Sequence, residues 1–586
     1  MVTRTHFFAC LLWSTLQSSV RSSDSIFSSH EGALSGTYNS YAFDASNTSY
    51  QDTRLDNGNQ TESSVGFSVP IGFKSKLADP ELSNSPSCDD SQCLRSEFPS
   101  FDYQKAVIYR YRHQPSVNLG SWWRFVHEQW MTPSMFKQAS GKQMSEYDIA
   151  SGCDSIADAQ SLLEEHWDTF ITEADFEYLA SLGINTVRLP IGYWSLGPNF
   201  CSGTPFAAVA AVYENAWSRV IRAIGWGLLY GIGVLVDLHG APGSQNGQPH
   251  SGISDGQTSL FSDPDNWTKA QDVLIFLAEQ LCNVTNVVGI ELLNEPQNSD
   301  ALVHFYTETI DMIRNVSSST ASLPIYIHDG FDLIQFSDYV SQRSDFVVQD
   351  SHQYYVYTPS DASEPASSHT ADIKSQVHDI LSNASCHQHG NLYIGEWSCA
   401  LTPESLGQES DPNWSRRDFC TAQMQVFNND TSGWAFWSYK KENCMDDRGW
   451  CFRAAVGTCL PSNFFFYCNK PLSGQHIQSV EGMLSCTTTE MDLLGRDLTQ
   501  NQTETTAQNT QYDCSAPSSG QEDDEKTGYC DGLATAQKFA LYDSKLGFVQ
   551  QYITDIVGGD RSDTYRTLFV EGLLAGEQMV SNLCPL

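Results

Sequence analysis

Positive charge is scarce in this chain, and so are long apolar segments. Its 586 residues include 32 lysines and arginines against 70 aspartates and glutamates, which gives a formal net charge of −38. Such an excess of negative charge repels nucleic-acid backbones and anionic lipid surfaces, so neither is expected as a partner. Beyond the N-terminus no apolar stretch approaches the ~20 residues of a membrane-spanning helix, and the last six residues lack the apolar tail of a lipid-anchor signal. We therefore expect no membrane anchor and an uncharged substrate.

The short paired cysteine spacings that zinc sites favour are also missing. The chain has 17 cysteines, and removal of Cys10 with an N-terminal signal would leave an even number, scattered along the sequence. This pattern favours disulfides over metal ligation, although it leaves their pairing open. We expect neither a metal nor an organic cofactor.

The first residues are typical of a secretory signal. Arg4 precedes the apolar run 7–13, and small polar residues follow up to about residue 22, so residues 1–22 are predicted to be a signal peptide. Acceptor triplets for N-linked glycans begin at Asn47, Asn59, Asn266, Asn283, Asn315, Asn383, Asn413, Asn429 and Asn501. We expect a secreted glycoprotein, extracellular or in the cell wall, that acts as a monomer.

Composition divides the rest of the chain into three parts. Residues 23–100 are rich in Ser, Asn, Asp and Gly and predict a flexible, low-complexity leader. Residues 101–459 alternate short apolar runs with helical patterns, such as 173–180 and 209–228. Residues 460–586 contain further cysteines and two weakly similar helix-like segments, which predict a disulfide-stapled structural extension.

Eight of the apolar runs in the middle part are predicted to be strands. They are Ser116–Leu119, Thr186–Pro190, Gly233–Leu238, Val287–Leu293, Pro324–His328, Phe346–Gln349, Asn391–Gly395 and Gly433–Trp437. Eight strands that alternate with helices predict a (β/α)8 TIM barrel, in which functional groups cluster at the carboxyl ends of the strands.

Two of these strands end in a glutamate. Glu295 lies in Asn294-Glu295-Pro296 directly after the run 287–293, and Glu396 follows the strand 391–395. Glycoside hydrolysis requires two carboxyl groups, and in a retaining enzyme they lie about 5 to 5.5 Å apart. The pair therefore indicates a glycosidase, in which we expect the neighbouring negative charge and partial burial to raise the pKa of Glu295.

Several blocks of sequence resemble one enzyme family. They are Val117–Trp122 with Trp130–Phe136, His166–Thr172, Asn185–Trp194 and Asp237–Gly247. Together with the two glutamates they resemble glycoside hydrolase family 5, and within it the fungal exo-β-1,3-glucanases, or glucan 1,3-β-glucosidases. The resemblance extends from about residue 117 to residue 452.

The resemblance implies roles for individual residues. Glu295 is expected to be the acid and base, and Glu396 the nucleophile of a double displacement. Arg188 is expected to orient Glu396, and Trp437 to form the floor under the reacting sugar. The other residues expected to bind substrate are Glu128, His239, Asn294, His352, Tyr354 and Tyr357.

The same resemblance predicts the substrate. It implies a secreted enzyme that releases glucose from the non-reducing end of β-1,3-glucan. Gln248-Pro249-His250 stands where the family usually has Phe-Asp-Asn, and Tyr357 takes the place of a clamping phenylalanine. A β-1,6-glucanase, another β-glycosidase or a transglycosylase on the same scaffold therefore stays open, as does a non-catalytic cell-wall protein that binds glucan.

Overall fold

Eight parallel strands form a closed barrel in chain order, β1 to β8, with β8 paired to β1. The computed structural model describes residues 98–122, 129–488, 514 and 523–584. The strands are β1 (Gln114–Asn118), β2 (Thr186–Gly192), β3 (Gly233–Gly240), β4 (Val287–Glu291), β5 (Ile325–His328), β6 (Val347–Gln353), β7 (Leu392–Trp397) and β8 (Gly433–Phe436). All eight predicted strands are present, which confirms the (β/α)8 barrel.

Helices surround the barrel. Those of seven residues or more are Tyr103–Tyr111, Glu146–Gly152, Ile156–Thr169, Glu173–Ser181, Ala216–Leu229, Pro264–Leu281, Asp300–Val316, Leu333–Ser341, Ala366–Asp372, His378–His387, Pro412–Asp430, Gly474–Thr488, Asp523–Ala540 and Asp563–Ser581. Four-residue or five-residue helices are Pro133–Phe136, Ser318–Ala321, Pro359–Ser363, Pro403–Gly407, Phe452–Ala455 and Val549–Tyr552. Both faces of the strands are covered, and for this reason nearly every strand residue is buried.

Local sequence explains where one predicted helix begins and why another is shorter than expected. The backbone N–H of Thr172 donates to Asp175 (2.8 Å), and this cap starts the helix Glu173–Ser181 close to its predicted position. The continuous helix predicted over 209–228 was wrong. Residues Pro205–Tyr213 form a 3-10 helix that buries side chains at a spacing of three residues, and the α-helix begins only at Ala216.

The C-terminal extension closes the amino-terminal end of the barrel. Side chains near the starts of the strands, such as Tyr326 and Tyr393, share one buried cluster with the helix Tyr103–Tyr111 and with Phe539 and Phe569 of the C-terminal helices. This end lies opposite the carboxyl ends of the strands, where function is expected. The extension therefore belongs to the packed body of the protein.

Disulfides form in both the barrel and the extension. They join Cys399 to Cys420, Cys444 to Cys451, Cys468 to Cys584, and Cys514 to Cys530. Disulfide formation is therefore confirmed for the extension, whereas Cys153, Cys201 and Cys459 are present as thiols.

Some predictions concern segments beyond this description. The predicted signal peptide, nearly all of the predicted leader and Glu128 lie outside the described residues. Within the described part of the chain, no helix is both long enough and apolar enough to cross a membrane.

The two longest helices of the extension touch along a row of glycines. A Cβ added at Gly532 would overlap the carbonyl oxygen of Phe569, and one added at Gly572 would overlap the carbonyl oxygen of Tyr529. Only glycine permits this close backbone approach. The weak likeness of the two segments in the sequence thus reflects their packing against each other.

Gly532→Ala is expected to destabilise the protein by about 1–3 kcal/mol, because the new methyl group forces the two helices apart. Gly482 provides a control, since it is also helical but exposed, with no atom near its Cβ position. Gly482→Ala should stabilise by roughly 0.5–1 kcal/mol. Urea denaturation of both variants measures the difference, and equal effects would show that the helix contact is not tight.

Candidate active site

Side chains from six strands converge at the carboxyl end of the barrel. Eight of the predicted site residues lie there together: Arg188, His239, Asn294, Glu295, His352, Tyr354, Glu396 and Trp437. Tyr357 lies at the rim and is 57% exposed. The strand register places His352 of β6 directly beside Glu396 of β7.

Arg188 on β2 organises the floor of the site. Its guanidinium contacts Oε1 of Glu396 through Nη1 (3.0 Å), and its Nη2 donates to Oδ1 of Asn294 (2.8 Å). Nη1 also donates to Oδ1 of Asn118 (3.1 Å). Because the arginine is fully buried, these charge-assisted hydrogen bonds fix the orientation of Glu396 and of the Asn294 amide.

Three further carboxylates surround the same guanidinium. Glu291 is 2.7 Å from Nε of Arg188, Asp237 is 3.1 Å from Nη2, and Asp350 is 3.8 Å from Nε. All three are completely buried. Burial raises the pKa of Glu291 well above its usual value, with Arg188 opposing and Asp350 and Asp237 adding to the shift. The raised pKa favours the protonated form of Glu291, which limits the negative charge around one cation.

These three carboxylates were not predicted as site residues. A pattern nevertheless points to two of them, because Asp237 stands two residues before His239, and Asp350 two residues before His352. Side chains two residues apart on a strand face the same way. A charged residue inside an otherwise apolar strand, on the face of a predicted site residue, is therefore a usable signal.

His352 lies between the two glutamates. Its Nδ1 is 2.7 Å from Oε1 of Glu295 and 3.5 Å from Oε2 of Glu396. Its Nε2 is 3.4 Å from Oδ2 of Asp350. Burial lowers the pKa of His352, but Glu396 and Asp350 outweigh that effect and raise it well above the usual value. The raised pKa favours the charged form of His352, whose Nδ1 then donates to Glu295.

The pKa values of the two glutamates shift in opposite directions. Burial raises the pKa of Glu295, but the hydrogen bond and charge of His352 outweigh burial and hold it below its usual value. Burial raises the pKa of Glu396, His352 opposes, and Glu295 adds to the rise. The expected raised pKa of Glu295 was wrong, because the sequence does not show that His352 lies within hydrogen-bonding distance of its carboxylate.

Glu396 accepts two hydrogen bonds from fixed donors. The Tyr354 hydroxyl donates to Oε2 (2.7 Å), and Arg188 donates to Oε1. Burial and the charge of Glu396 raise the pKa of Tyr354 well above its usual value, so the phenol keeps its proton. Both carboxylate oxygens of Glu396 are thus held in place.

Glu295 has a strained backbone. Its φ is 43°, in the left-handed region that a residue with a Cβ rarely adopts. The side-chain amide of Asn246 donates to the carbonyl oxygen of Glu295 (3.1 Å), and Gln297 N–H donates to the carbonyl oxygen of Gln245 (3.0 Å). These contacts between the loops after β3 and β4 stabilise the conformation that aims Glu295 into the site.

Trp437 forms a flat wall of the pocket next to His239. Their ring centroids are 5.8 Å apart and their planes differ by 10°. Gly120 lies against the indole, where a Cβ would be 2.8 Å from the nearest ring carbon. Trp434, two strand positions before the end of β8, is instead fully buried against Trp397. The two tryptophans therefore have different surroundings.

Aromatic rings continue from Glu396 to the rim. Tyr354 lies 5.5 Å from both Tyr357 and Trp450, and Trp130 lies 5.4 Å from Trp450, measured between ring centroids. Trp450 belongs to the short loop closed by the disulfide Cys444–Cys451. We call Tyr357, Trp450 and Trp130 the aromatic rim. Trp450 was not predicted as a site residue, because the sequence does not show that its loop folds towards Tyr354.

Three potential metal ligands lie close together, but the guanidinium of Arg188 already compensates their negative charge. Glu291, Asp350 and His352 place ligand atoms within 4.8 Å of one another. The guanidinium of Arg188 contacts Glu291 and lies 3.8 Å from Asp350, and the raised pKa of His352 favours its charged form. We therefore attribute charge compensation in this cluster to Arg188 and His352.

A (β/α)8 barrel that holds two glutamates on either side of a buried histidine at the carboxyl ends of its strands has the site of a glycosidase. The chain belongs to glycosyl hydrolase family 5, because the family model described as cellulase (glycosyl hydrolase family 5) matches residues 150–443. This confirms the resemblance found in the sequence.

Curated relatives support the same assignment. The chain is 33% identical over 362 residues to glucan 1,3-beta-glucosidase 3 of Schizosaccharomyces pombe, covering 60% of this chain and 74% of that protein. It is 31% identical over 422 residues to glucan 1,3-beta-glucosidase of Kluyveromyces lactis, covering 63% and 92%. It is 30% identical over 399 residues to probable glucan 1,3-beta-glucosidase A of Aspergillus niger, covering 60% and 86%.

Proposed function

We propose that the protein is a retaining glycosidase that releases glucose from the non-reducing end of β-1,3-glucan. Glu295 acts as acid and base, and Glu396 as nucleophile. The observation that carries the proposal is the position of His352 between the two glutamates. Its contacts limit their facing oxygens to at most about 6 Å apart, compatible with the roughly 5–5.5 Å of retaining enzymes.

In the first step, a carboxylate oxygen of Glu396 attacks the anomeric carbon while the glycosidic bond breaks. Arg188 and Tyr354 hold that carboxylate in place. Glu295 gives its proton to the departing sugar oxygen. A bound sugar excludes water and deepens burial, which raises the pKa of a carboxyl group, so Glu295 gains this proton in the complex.

In the second step, Glu295 removes a proton from water, and the water oxygen attacks the anomeric carbon. The bond to Glu396 breaks, and glucose leaves with its original configuration. Trp437 offers an apolar face to the sugar ring in both steps. Asn294 is positioned next to Glu396 through their shared donor, Arg188, where its amide can bind a sugar hydroxyl.

The relatives support the substrate class and the location. Three similar fungal proteins bear the name glucan 1,3-beta-glucosidase, one of them as a probable member. The predicted signal peptide and exposed glycan-acceptor asparagines support secretion. The exposed acceptors are Asn283, Asn315, Asn383, Asn413 and Asn429. We propose a secreted monomer that acts outside the cell or in the cell wall, with the aromatic rim contacting the leaving part of the glucan.

Glucose is the expected main early product from laminarin, because exo action removes one terminal residue at a time. Product analysis by chromatography at low conversion measures this, and NMR of the first product reports its anomeric configuration. Release of longer oligosaccharides would overturn exo action, and an inverted product would overturn the double displacement. Pustulan tests the alternative of a β-1,6-glucanase, which is favoured by Gln248 in place of an aromatic entrance residue.

A further inference from the structure

His250 lies beside the oxygen of Glu295 that His352 does not contact. Its Nε2 is 3.8 Å from Oε2 of Glu295, whereas His352 contacts Oε1. The imidazole side chain is 17% exposed and belongs to the short 3-10 turn Pro249–Ser251. The family that the sequence resembles usually has asparagine at this position, so the histidine is a feature of this chain.

Two fixed neighbours determine where His239 carries its proton. Nδ1 of His239 is 2.7 Å from Oδ2 of Asp237, a carboxylate that also contacts Arg188, so Nδ1 is the donor. The Asn294 amide is oriented because its oxygen accepts from Arg188, and its nitrogen lies 3.3 Å from Nε2 of His239. Nε2 of His239 is therefore an acceptor.

The position of the proton on His239 determines the position of the proton on His250. Its Nδ1 is 3.3 Å from Nε2 of His239, so Nδ1 must be the donor of that pair. The amide oxygen of Asn246 accepts from the Gln248 N–H (3.0 Å), which turns the Asn246 nitrogen towards Nε2 of His250 (3.4 Å). Nε2 of His250 is therefore an acceptor with a single lone pair, for which the distant Asn246 amide (3.4 Å) and a protonated Oε2 of Glu295 would compete.

Glu295 thus lies between two histidines, one that donates a hydrogen bond to it and one that offers it an acceptor. His352 donates to Oε1 and favours the ionised carboxylate, whereas Nε2 of His250 favours a proton on Oε2. The spacing of 3.8 Å is too long for a hydrogen bond in the free site. A small approach of the two groups, or one hydroxyl between them, would close it.

We propose that His250 is a positioning residue that stabilises the protonated, acid form of Glu295 through its unprotonated Nε2. This inference rests on the proposed acid role of Glu295. It assigns the proton to Oε2, the oxygen that His352 leaves open, and it makes His250 a determinant of the pH range over which the enzyme cleaves glycosides with poor leaving groups.

The charged groups around the pair favour the ionised form of Glu295, because His352, His328 and a charged His250 each lower its pKa. Burial lowers the pKa of His250 to about 4, with Glu295 and Asp237 opposing and His239 and His352 adding to the fall. His250 is therefore neutral above that pH, and its lone pair is present when Glu295 gains a proton in the complex with substrate.

His250→Asn is expected to move the alkaline limb of kcat, which reports the acid in the enzyme–substrate complex, to lower pH by about 0.5–1 unit. Loss of the acceptor lowers the pKa of the acid, so Glu295 loses its proton at a lower pH. One unit above the wild-type limb, kcat should fall about 3-fold to 10-fold. His250→Phe keeps a ring without an acceptor nitrogen and should show the same shift. The profile is measured on any β-glycoside with a poor leaving group that the wild type hydrolyses.

Two controls separate this role from a structural one. A dinitrophenyl β-glycoside needs no proton on its leaving group, so His250→Asn should leave its kcat/KM within about twofold of wild type. Pro249→Ala in the same turn should leave the alkaline limb in place. An unchanged limb in His250→Asn, or an equal loss on both kinds of substrate, would overturn the role of His250.

The outcome is distinguishable from failure of the proposed function. If laminarin is not hydrolysed but another β-glycoside is, the substrate assignment fails and the alkaline limb still decides the role of His250. If Glu295→Gln retains wild-type activity on poor leaving groups, the acid assignment fails, and the inference about His250 fails with it.

Discussion

Replacing Glu396 by glutamine is expected to lower kcat for glycoside hydrolysis by roughly 10⁴-fold or more. An amide cannot form the glycosyl ester that the double displacement requires. Its size is nearly that of the carboxylate, so the hydrogen bonds from Arg188 and Tyr354 remain available in part, and substrate should still bind. Steady-state kinetics measure the loss, and calorimetry with a glucan oligosaccharide measures binding.

Glu291→Gln is the matched control for this prediction. Glu291 is another buried carboxyl in contact with Arg188, but burial raises its pKa well above the usual value and favours its protonated form. Glutamine closely imitates a protonated glutamate, so the loss of activity should be less than about tenfold. Wild-type rates in Glu396→Gln, or equal losses in both variants, would show that Glu396 is not the nucleophile.

Arg188→Met is expected to destabilise the protein by about 3–5 kcal/mol at neutral pH, because it leaves buried carboxylates without their cation. Asp237, Glu291, Asp350 and Glu396 all lie within 4 Å of this guanidinium. Urea denaturation at neutral pH measures the loss. Arg219→Met, which breaks partly exposed ion pairs with Glu164 and Asp168, should cost about 1 kcal/mol or less.

The loss in Arg188→Met should shrink as the pH falls towards 5. Without the cation, the folded-state pKa values of the buried carboxyls rise above their unfolded values. The folded variant then binds more protons than the unfolded chain, so its stability increases as the pH falls through the raised values. A loss no larger than that of Arg219→Met, or one independent of pH, would contradict the role of Arg188 in charge compensation.

The sequence by itself determined the barrel and the identity of the glutamate pair. Parallel strands that are buried on both faces appear in the sequence as short apolar runs. Apolar residues in the helices between them recur every three to four positions, so the local pattern was enough to place all eight strands. A glutamate at the end of such a strand must lie at the open end of the barrel. Glu295 and Glu396 were therefore predictable as site residues.

Only the tertiary structure decided the electrostatics of the site. Asp237, Glu291 and Asp350 come from three strands, and their meeting around Arg188 depends on strand register, which a local pattern does not encode. The pKa of Glu295 depends on His352, 57 residues away, and the proton arrangement of His250 depends on a chain of contacts through His239. The positions of charges and protons depend on distances between strands and loops, whereas the fold follows from the spacing of apolar residues within each strand and helix.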